Sequence, residues 1–229
     1  MSIAIKNLKF DYGGTQGFTL TIPQLDLAVG QTYLLLGPSG SGKSTLLNLL
    51  AGILRPTSGV LQLAGQDMSN VGPMHMDRFR GEHIGFVFQT LNLIPWLSLR
   101  DNIALGLAFA PKRRSRLTQG VDDTIEGLTA RMNIGKQLID RPAAHLSIGQ
   151  QQRVAAARAL IGAPDIILAD EPSSALDDAN TQLFFDLLMG ELDRSRQTLL
   201  AVSHDTRLGA YFDHALSVDD ILHSGGGDE

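Results

Sequence analysis

The chain has 229 residues, no cysteine, and 19 basic against 24 acidic residues, which gives a formal net charge of −5. This length is typical of one domain with a full core, and the acidic balance argues against a dedicated nucleic-acid-binding protein, which usually has a basic excess. Without cysteine, the chain contains neither a disulfide scaffold nor a thiolate metal site.

The first residues, MSIAIKNLKFDYGG, alternate apolar and polar side chains as a strand does. They lack the continuous apolar segment of a secretory signal peptide. Along the rest of the sequence, no uninterrupted apolar run approaches the ~18 residues of a membrane-spanning helix. We therefore expect the chain to contact a membrane only through a partner, and we expect no nucleic-acid partner.

The first part of the chain predicts strands arranged around one helix. The helix, STLLNLLAGIL, follows a buried-strand run and should stop at the proline and glycine of RPTSG. The triplet Met74 to Met76 follows VGP and is interpreted as a loop, because no other metal-ligand spacing supports a soft-metal site. Alternating or apolar runs predict strands at residues 3–10, 18–22, 31–37, 59–65 and 84–88.

From about Thr90 to Ala157 the strand pattern gives way to short helical segments, so an α/β domain with a mostly helical insertion is predicted. The polar end, HSGGGDE, is expected to be disordered. The predicted helices of the insertion lie at residues 100–110, at 121–134 and after LSIGQ. After the insertion, strands are predicted at 166–170, 198–204 and 215–218, with a helix at 180–194.

One basic cluster, PKRRSR at residues 111–116, allows two interpretations. A run of charges is usually a solvated loop. The alternative is contact with anionic lipid headgroups.

The segment GPSGSGKST matches the phosphate-loop pattern G-x-x-x-x-G-K-[ST] and lies between a predicted strand and a predicted helix. Its glycines permit a tight backbone path on which successive N–H groups converge on phosphate oxygens. Lys43 would reach the β- and γ-phosphates, and the Ser44 hydroxyl would face Mg²⁺. The predicted phosphate-binding residues here are Gly37, Pro38, Ser39, Gly40, Ser41, Gly42, Lys43, Ser44 and Thr45.

A second apolar strand, IILAD, ends in two adjacent carboxylates. Asp170 suits the coordination of Mg²⁺, and Glu171, which faces differently, suits the acceptance of a proton from an attacking water.

The octapeptide LSIGQQQR opens the helix that contains VAAARAL. Ser147 with Gln150 three residues later fits a capping box, in which each side chain binds a backbone N–H of the helix start. Alternatively, the exposed N–H groups and dipole of this helix end are directed at an anion.

Taken in order, these motifs resemble those of the nucleotide-binding subunits of ATP-binding-cassette (ABC) transporters, over essentially the whole chain. GPSGSGKST resembles Walker A, LSIGQ the family signature, ILADE Walker B with its catalytic glutamate, and SALD the D-loop, which ends at Asp177. The family's other positions match Tyr12, which would stack on adenine, Gln89 of the Q-loop near Mg²⁺, and the switch histidine His204.

The resemblance implies an α/β fold: a P-loop NTPase (RecA-like) core at about 1–89 and 158–229, an antiparallel β subdomain, and an inserted helical signature subdomain at about 90–157. It implies an ATPase with ATP and Mg²⁺ as cofactors. The implied catalytic residues are Glu171, His204 and Gln89, and the implied metal-binding residues are Ser44, Gln89 and Asp170.

The resemblance also answers why a helix begins at LSIGQ. In this family the signature helix faces the γ-phosphate of ATP held by a second subunit, so two copies would enclose two ATP molecules. Ser147, Gly149, Gln150 and Asp177 would then contact the nucleotide across the dimer. Where the family pattern has glycine, this chain has Ile148, and a backbone N–H contact survives that change.

Within the family, FRGEHIGFVFQTLNLIPWLSLRDNI is most similar to the macrolide-export and lipoprotein-release type. This implies an FtsX-like or lipoprotein-release-like permease partner, and a peripheral position on the cytoplasmic face of the inner membrane. Residues 90–98, with Trp96, would contact the permease or else pack inside the helical insertion. A signalling or cell-division complex and a solute importer remain alternative functions.

Overall fold

The structure, a computed structural model, describes residues 1–13 and 18–226. Residues 227–229 of the predicted polar tail lie outside this part of the chain. The strands are β1 (Ile3–Asp11), β2 (Phe18–Leu27), β3 (Thr32–Leu36), β4 (Ser58–Leu63), β5 (Gln66–Asp67), β6 (Ile84–Val87), β7 (Ile166–Asp170), β8 (Thr198–Ser203), β9 (His214–Ser217) and β10 (His223–Gly226). The helices are α1 (Lys43–Leu50), α2 (Pro73–His83), α3 (Leu99–Ala104), α4 (Pro111–Ser115), α5 (Val121–Arg131), α6 (Ile148–Leu160), α7 (Asp178–Gly190) and α8 (Val218–Ile221).

A parallel sheet in the order β6-β7-β8-β3-β9 forms the centre of the fold. Its inner strands are apolar at nearly every position because both of their faces are covered. On β7, Ile166 and Leu168 face one core cluster while Ile167 and Ala169 face another. This sheet explains why its strands appear in the sequence as continuous apolar runs.

An antiparallel sheet in the order β10-β2-β1-β4-β5 packs on one side, together with α1 and α2. The helices α3, α5, α6 and α7 share the second core cluster on the other side. The predicted combination of a parallel core, an antiparallel sheet and helices inserted after β6 is therefore confirmed. The helix α6 contacts both α3 and β6 and continues to Leu160, three residues past the predicted subdomain boundary.

Several element predictions were wrong in their details. The first helix ends at Leu50 rather than near Leu54, because Gly52 takes a left-handed conformation with φ 65°. The triplet Met74 to Met76 lies in α2, which begins at Pro73, and not in a loop. The helix predicted to reach Arg194 ends at Gly190.

The polar end predicted to be disordered contributes a strand. His223–Gly226 pairs antiparallel with β2, from His223 opposite Thr21 to Gly226 opposite Phe18. Backbone hydrogen bonding alone can hold such a segment, so its polar composition gave no indication of a strand.

The basic cluster is not a solvated loop, because its Arg113 is 2% exposed. Residues Pro111–Ser115 form α4, while Lys112 and Arg114 are exposed. Burial lowers the pKa of Arg113 to about 10, so the guanidinium remains charged near neutral pH. This guanidinium donates hydrogen bonds to the carbonyl oxygens of Gly81, Ile84, Ala159 and Ile161, at 3.1 to 3.3 Å.

Among the described residues, no helix is both long enough and apolar enough to cross a membrane.

Candidate active site

The loop from Gly37 to Gly42 connects β3 to α1 along a path that only glycine adopts easily. Gly40 has φ 82° and Gly42 has φ 95°, both in the left-handed region. Gly42 is the N-cap of α1, and no side chain there occupies the N–H groups of the first helical turn. A loop of this conformation, followed by a helix N-terminus without a side-chain cap, is suited to binding an anion.

Lys43 is the first residue of α1, and its side chain folds back over the loop. Its Nζ donates hydrogen bonds to the carbonyl oxygens of Gly37 at 2.7 Å and Pro38 at 2.8 Å. The residue is 6% exposed, so its charge lies at a nearly dry position. Within the described residues, the buried Ser41 hydroxyl lacks a hydrogen-bond partner, as expected beside a site for an anionic ligand.

The carboxylate at the end of β7 adjoins the loop. Ser44 Oγ donates a hydrogen bond to Asp170 Oδ1 at 3.2 Å. Burial raises the pKa of Asp170, the hydrogen bond from Ser44 opposes this rise, and the charge of Glu171 adds to it. These hydroxyl and carboxylate oxygens are the kind of ligand that Mg²⁺ prefers.

Glu171 is held by two neighbours at the end of β8. Ser203 Oγ donates to Glu171 Oε2 at 3.0 Å, and His204 Nδ1 lies 3.0 Å from Oε1. The glutamate backbone has φ 44°, an uncommon value for a residue with a side chain. Such strain often occurs where a side chain must be oriented for function.

A cavity of about 360 Å³ lies beside the phosphate loop and Glu171. Tyr12 and Phe18 form its aromatic wall, and the Tyr12 hydroxyl lies 3.3 Å from Thr45 Oγ1. Tyr12 is 54% exposed, so its side chain is accessible from the cavity side for contact with a ligand. The lining residues are Tyr12, Phe18, Ser39, Gly40, Gly42, Lys43, Ser44, Thr45, Gln89 and Glu171.

The signature residues lie outside this cavity, at the N-terminus of α6. The capping box is complete: Gln150 N donates to Ser147 Oγ at 3.3 Å, and Ser147 N donates to Gln150 Oε1 at 2.9 Å. Asp177 caps α7 by accepting from Asn180 N at 2.8 Å. The two helix starts are neighbours, since a Cβ on Gly149 would lie 3.8 Å from Asn180 Oδ1.

Two residues of the site were missed in the sequence. Phe18 is the second aromatic residue of the wall, and Ser203 holds Glu171. Ser203 directly precedes the predicted switch histidine His204, and this position in the sequence could have indicated that Ser203 lies in the site. Phe18 opens a strand pattern and gave no signal of its own.

The geometry agrees with the match to known families. The family model described as "ABC transporter" matches residues 20–174, which is more than half of the chain. The chain belongs to the ABC transporter family. The prediction of an ABC-type ATPase is thereby confirmed at the level of the family.

Two curated relatives illustrate the similarity of this ABC chain. The lipoprotein-releasing system ATP-binding protein LolD of Hydrogenovibrio crunogenus is 38% identical over 90% of this chain and 89% of the relative. The macrolide export ATP-binding/permease protein MacB of Rhodopseudomonas palustris is 35% identical over 96% of this chain. The chain spans only about a third of that MacB protein, 33% of its length.

Solved ABC cassettes share the fold. The dimeric cassette MJ0796 superposes with a TM-score of 0.83 at 29% identity, covering 99% of both chains. A post-hydrolysis dimer of the same cassette, bound to ADP and Pi, superposes with a TM-score of 0.80.

Proposed function

We propose that this chain is the ATP-binding and ATP-hydrolysing subunit of an ABC transporter, which dimerises around two ATP molecules and drives a separate membrane permease. The observation that carries the proposal is one cavity lined by the phosphate loop and Glu171. Asp170 is hydrogen-bonded to the lining residue Ser44, and His204 lies within hydrogen-bond distance of Glu171. ATP hydrolysis by this subunit would power export or mechanical transmission across the inner membrane, and the subunit would lie peripherally on the cytoplasmic face.

ATP would lie with its triphosphate on the loop and its adenine on the aromatic wall. The N–H groups that follow Gly40 and Gly42 would face the phosphates, and the Lys43 side chain already lies against the loop. A lysine held in a nearly dry position exchanges its carbonyl contacts for phosphate oxygens at little cost in ordering. Tyr12, which is half exposed, would contribute stacking energy.

The residues that would hold Mg²⁺ are Ser44, Gln89 and Asp170. Magnesium is usually bound by one or two carboxylates together with substrate phosphates, which fits this oxygen-rich set. Among the described residues there is no cluster of three or more His, Cys, Asp or Glu side chains suited to a metal. The phosphates of ATP would supply the other oxygen ligands. When bound, the ion neutralises charge that develops on the β- and γ-phosphates.

Glu171 would accept the proton of the attacking water. Ser203 and His204 fix both carboxylate oxygens, which limits the rotation of the base before the reaction. Gln89 lines the same cavity and would orient the water together with His204.

The signature helix would meet the ATP of a second copy of the chain. Ser147 Oγ accepts a hydrogen bond within the capping box, and a hydroxyl can accept and donate at once. The cap and a phosphate contact are therefore compatible, and Gly149, Gln150 and Asp177 lie on the same surface. The dimeric state of the MJ0796 cassette supports this assembly.

The permease contact would include the exposed apolar side chains of the helical insertion. Trp96 is 78% exposed and Phe109 is 84% exposed, which suits a partner surface. Leu91, in contrast, is buried. The segment 90–98 would therefore pack partly inside the helical insertion and partly against the permease. A groove of about 690 Å³ between α2, β6 and α4 adjoins Phe109.

The names of the two relatives, a macrolide exporter and a lipoprotein-releasing ATPase, support a permease of the FtsX or lipoprotein-release kind. The importer and signalling alternatives are not favoured by these relatives.

The test uses a tagged Glu171→Gln chain, purified from detergent-solubilised native membranes with ATP and Mg²⁺. We expect loss of ATPase activity, a closed dimer, and co-purification of a permease with few spans and a large external domain. Asp186→Asn changes an exposed carboxylate on α7 and should keep wild-type activity. An ATPase-inactive wild type would refute the enzymatic proposal, and recovery of no membrane protein would refute the permease.

A further inference from the structure

The segment from β9 to β10, residues 214–226, crosses from one sheet to the other behind the phosphate loop. We name it the closing segment. At its start, Ser217 pairs with Leu36, the residue before the loop. At its end, Gly226 pairs with Phe18, which lines the nucleotide cavity. The segment thus connects the strand that carries the phosphate loop to the strand that carries part of the aromatic wall.

Val218 supports the first glycine of the loop. A Cβ added to Gly37 would lie 2.6 Å from Val218 Cγ2, which means that the valine methyl lies directly against the glycine. Val218 is 3% exposed, so little space remains around it. A backbone in such contact cannot shift toward the valine without displacing it.

Leu222 belongs to the apolar layer beside the last glycine of the loop, at a greater distance than Val218 has from Gly37. A Cβ on Gly42 would meet Leu20 at 3.0 Å, Phe18 at 3.1 Å and Leu222 at 3.7 Å. The glycine that begins α1 therefore rests on an apolar layer formed jointly by β2 and the closing segment. Loop and aromatic wall share this layer.

We propose that the closing segment sets the distance between the phosphate loop and the aromatic wall, with Val218 and Leu222 as positioning residues for ATP binding. The inference rests on the proposed binding of ATP in this cavity. None of the nucleotide motifs includes these residues. ATP spans loop and wall at once, so a change in their separation weakens one contact whenever the other is made.

The first test compares Val218→Ala with Val218→Thr. Alanine removes the methyl that lies against Gly37, whereas threonine keeps the shape but buries a hydroxyl, so both variants lose stability. We expect Val218→Ala to raise the KM for ATP at least about fivefold with kcat changed less than about twofold, the pattern of lost binding. Val218→Thr should keep the wild-type KM.

A core control separates positioning from general destabilisation. Ile125→Ala truncates a fully buried side chain of α5 in the other core cluster and should lower the unfolding temperature without changing the KM. A chain that lacks residues 223–229 should show the raised KM, and a chain that lacks only 227–229 should not. Binding of a fluorescent ATP analogue, measured with each variant, gives the dissociation constant directly.

The outcomes are distinguishable. Suppose that the wild type binds ATP. If Val218→Ala then binds ATP equally well, or if Ile125→Ala weakens ATP binding as much as Val218→Ala does, only this inference is refuted and the proposed function stands. If wild type binds no ATP, the proposed function is refuted and this inference with it.

Discussion

Replacement of Arg113 by methionine should destabilise the protein strongly. Methionine keeps most of the apolar stem but removes the guanidinium, so the four carbonyl oxygens that it contacts, three of them buried, lose a donor. At ~1 kcal/mol for each lost hydrogen bond, the free energy of unfolding should fall by about 4 kcal/mol. That is a large part of the ~5–15 kcal/mol by which a native domain is stable.

Thermal denaturation measures this effect. For a domain of this size, 1 kcal/mol lowers the melting temperature by ~2–4 °C, so Arg113→Met should lower it by about 8–16 °C. The matched control is Arg114→Met, which changes an exposed arginine in the same helix and should shift the temperature by less than about 2 °C. Equal shifts for the two variants would contradict the structural role of the buried guanidinium.

Three further predictions concern the site and its surroundings. Ser203→Ala removes a hydrogen bond to Glu171 and should lower kcat roughly tenfold with an unchanged KM, measured by steady-state ATPase assay. Burial would raise the pKa of Asp165, but hydrogen bonds, led by that of His83, lower it to about 2. Because folding lowers this pKa, the ionised Asp165 stabilises the protein above pH ~4, and this stabilisation is lost as the pH falls toward ~2. Asp165→Asn should therefore lower the free energy of unfolding, measured in urea, by about 1–2 kcal/mol at pH 7 and by less below pH ~4. Ile148→Gly should keep ATPase activity, because Ile148 is 48% exposed at the start of α6 and the expected phosphate contact uses backbone N–H groups. Loss of ATPase activity in this variant would show that the Ile148 side chain is required.

Local patterns carried most of what the sequence predicted. The strands of the parallel sheet are apolar on both faces, and the phosphate loop requires glycines at fixed positions, so both were recognisable. The capping box of α6 involves residues only three apart, Ser147 and Gln150, and was predicted correctly.

Contacts between distant residues account for what was missed. The strand β10 has no apolar alternation, and it forms because β2 offers an edge about 200 residues earlier in the chain. Arg113 lies in a charged run, and its burial depends on carbonyl oxygens more than 25 positions away on either side. Neither partner is visible from the local sequence, so composition alone predicted disorder and exposure.

The buried guanidinium has a mechanical consequence. It holds the C-terminal end of α6 by hydrogen bonds to the carbonyl oxygens of Ala159 and Ile161, and Ser147 lies at the opposite end of that helix. The helix has 13 residues, which corresponds to a rod of about 20 Å at 1.5 Å per residue. A rotation of the helix by about 10° about its C-terminal end would move its N-terminal end by ~3 Å, roughly the length of a hydrogen bond. A tilt of this size at the end held by Arg113 would be enough to make or break the proposed contact between Ser147 and a phosphate.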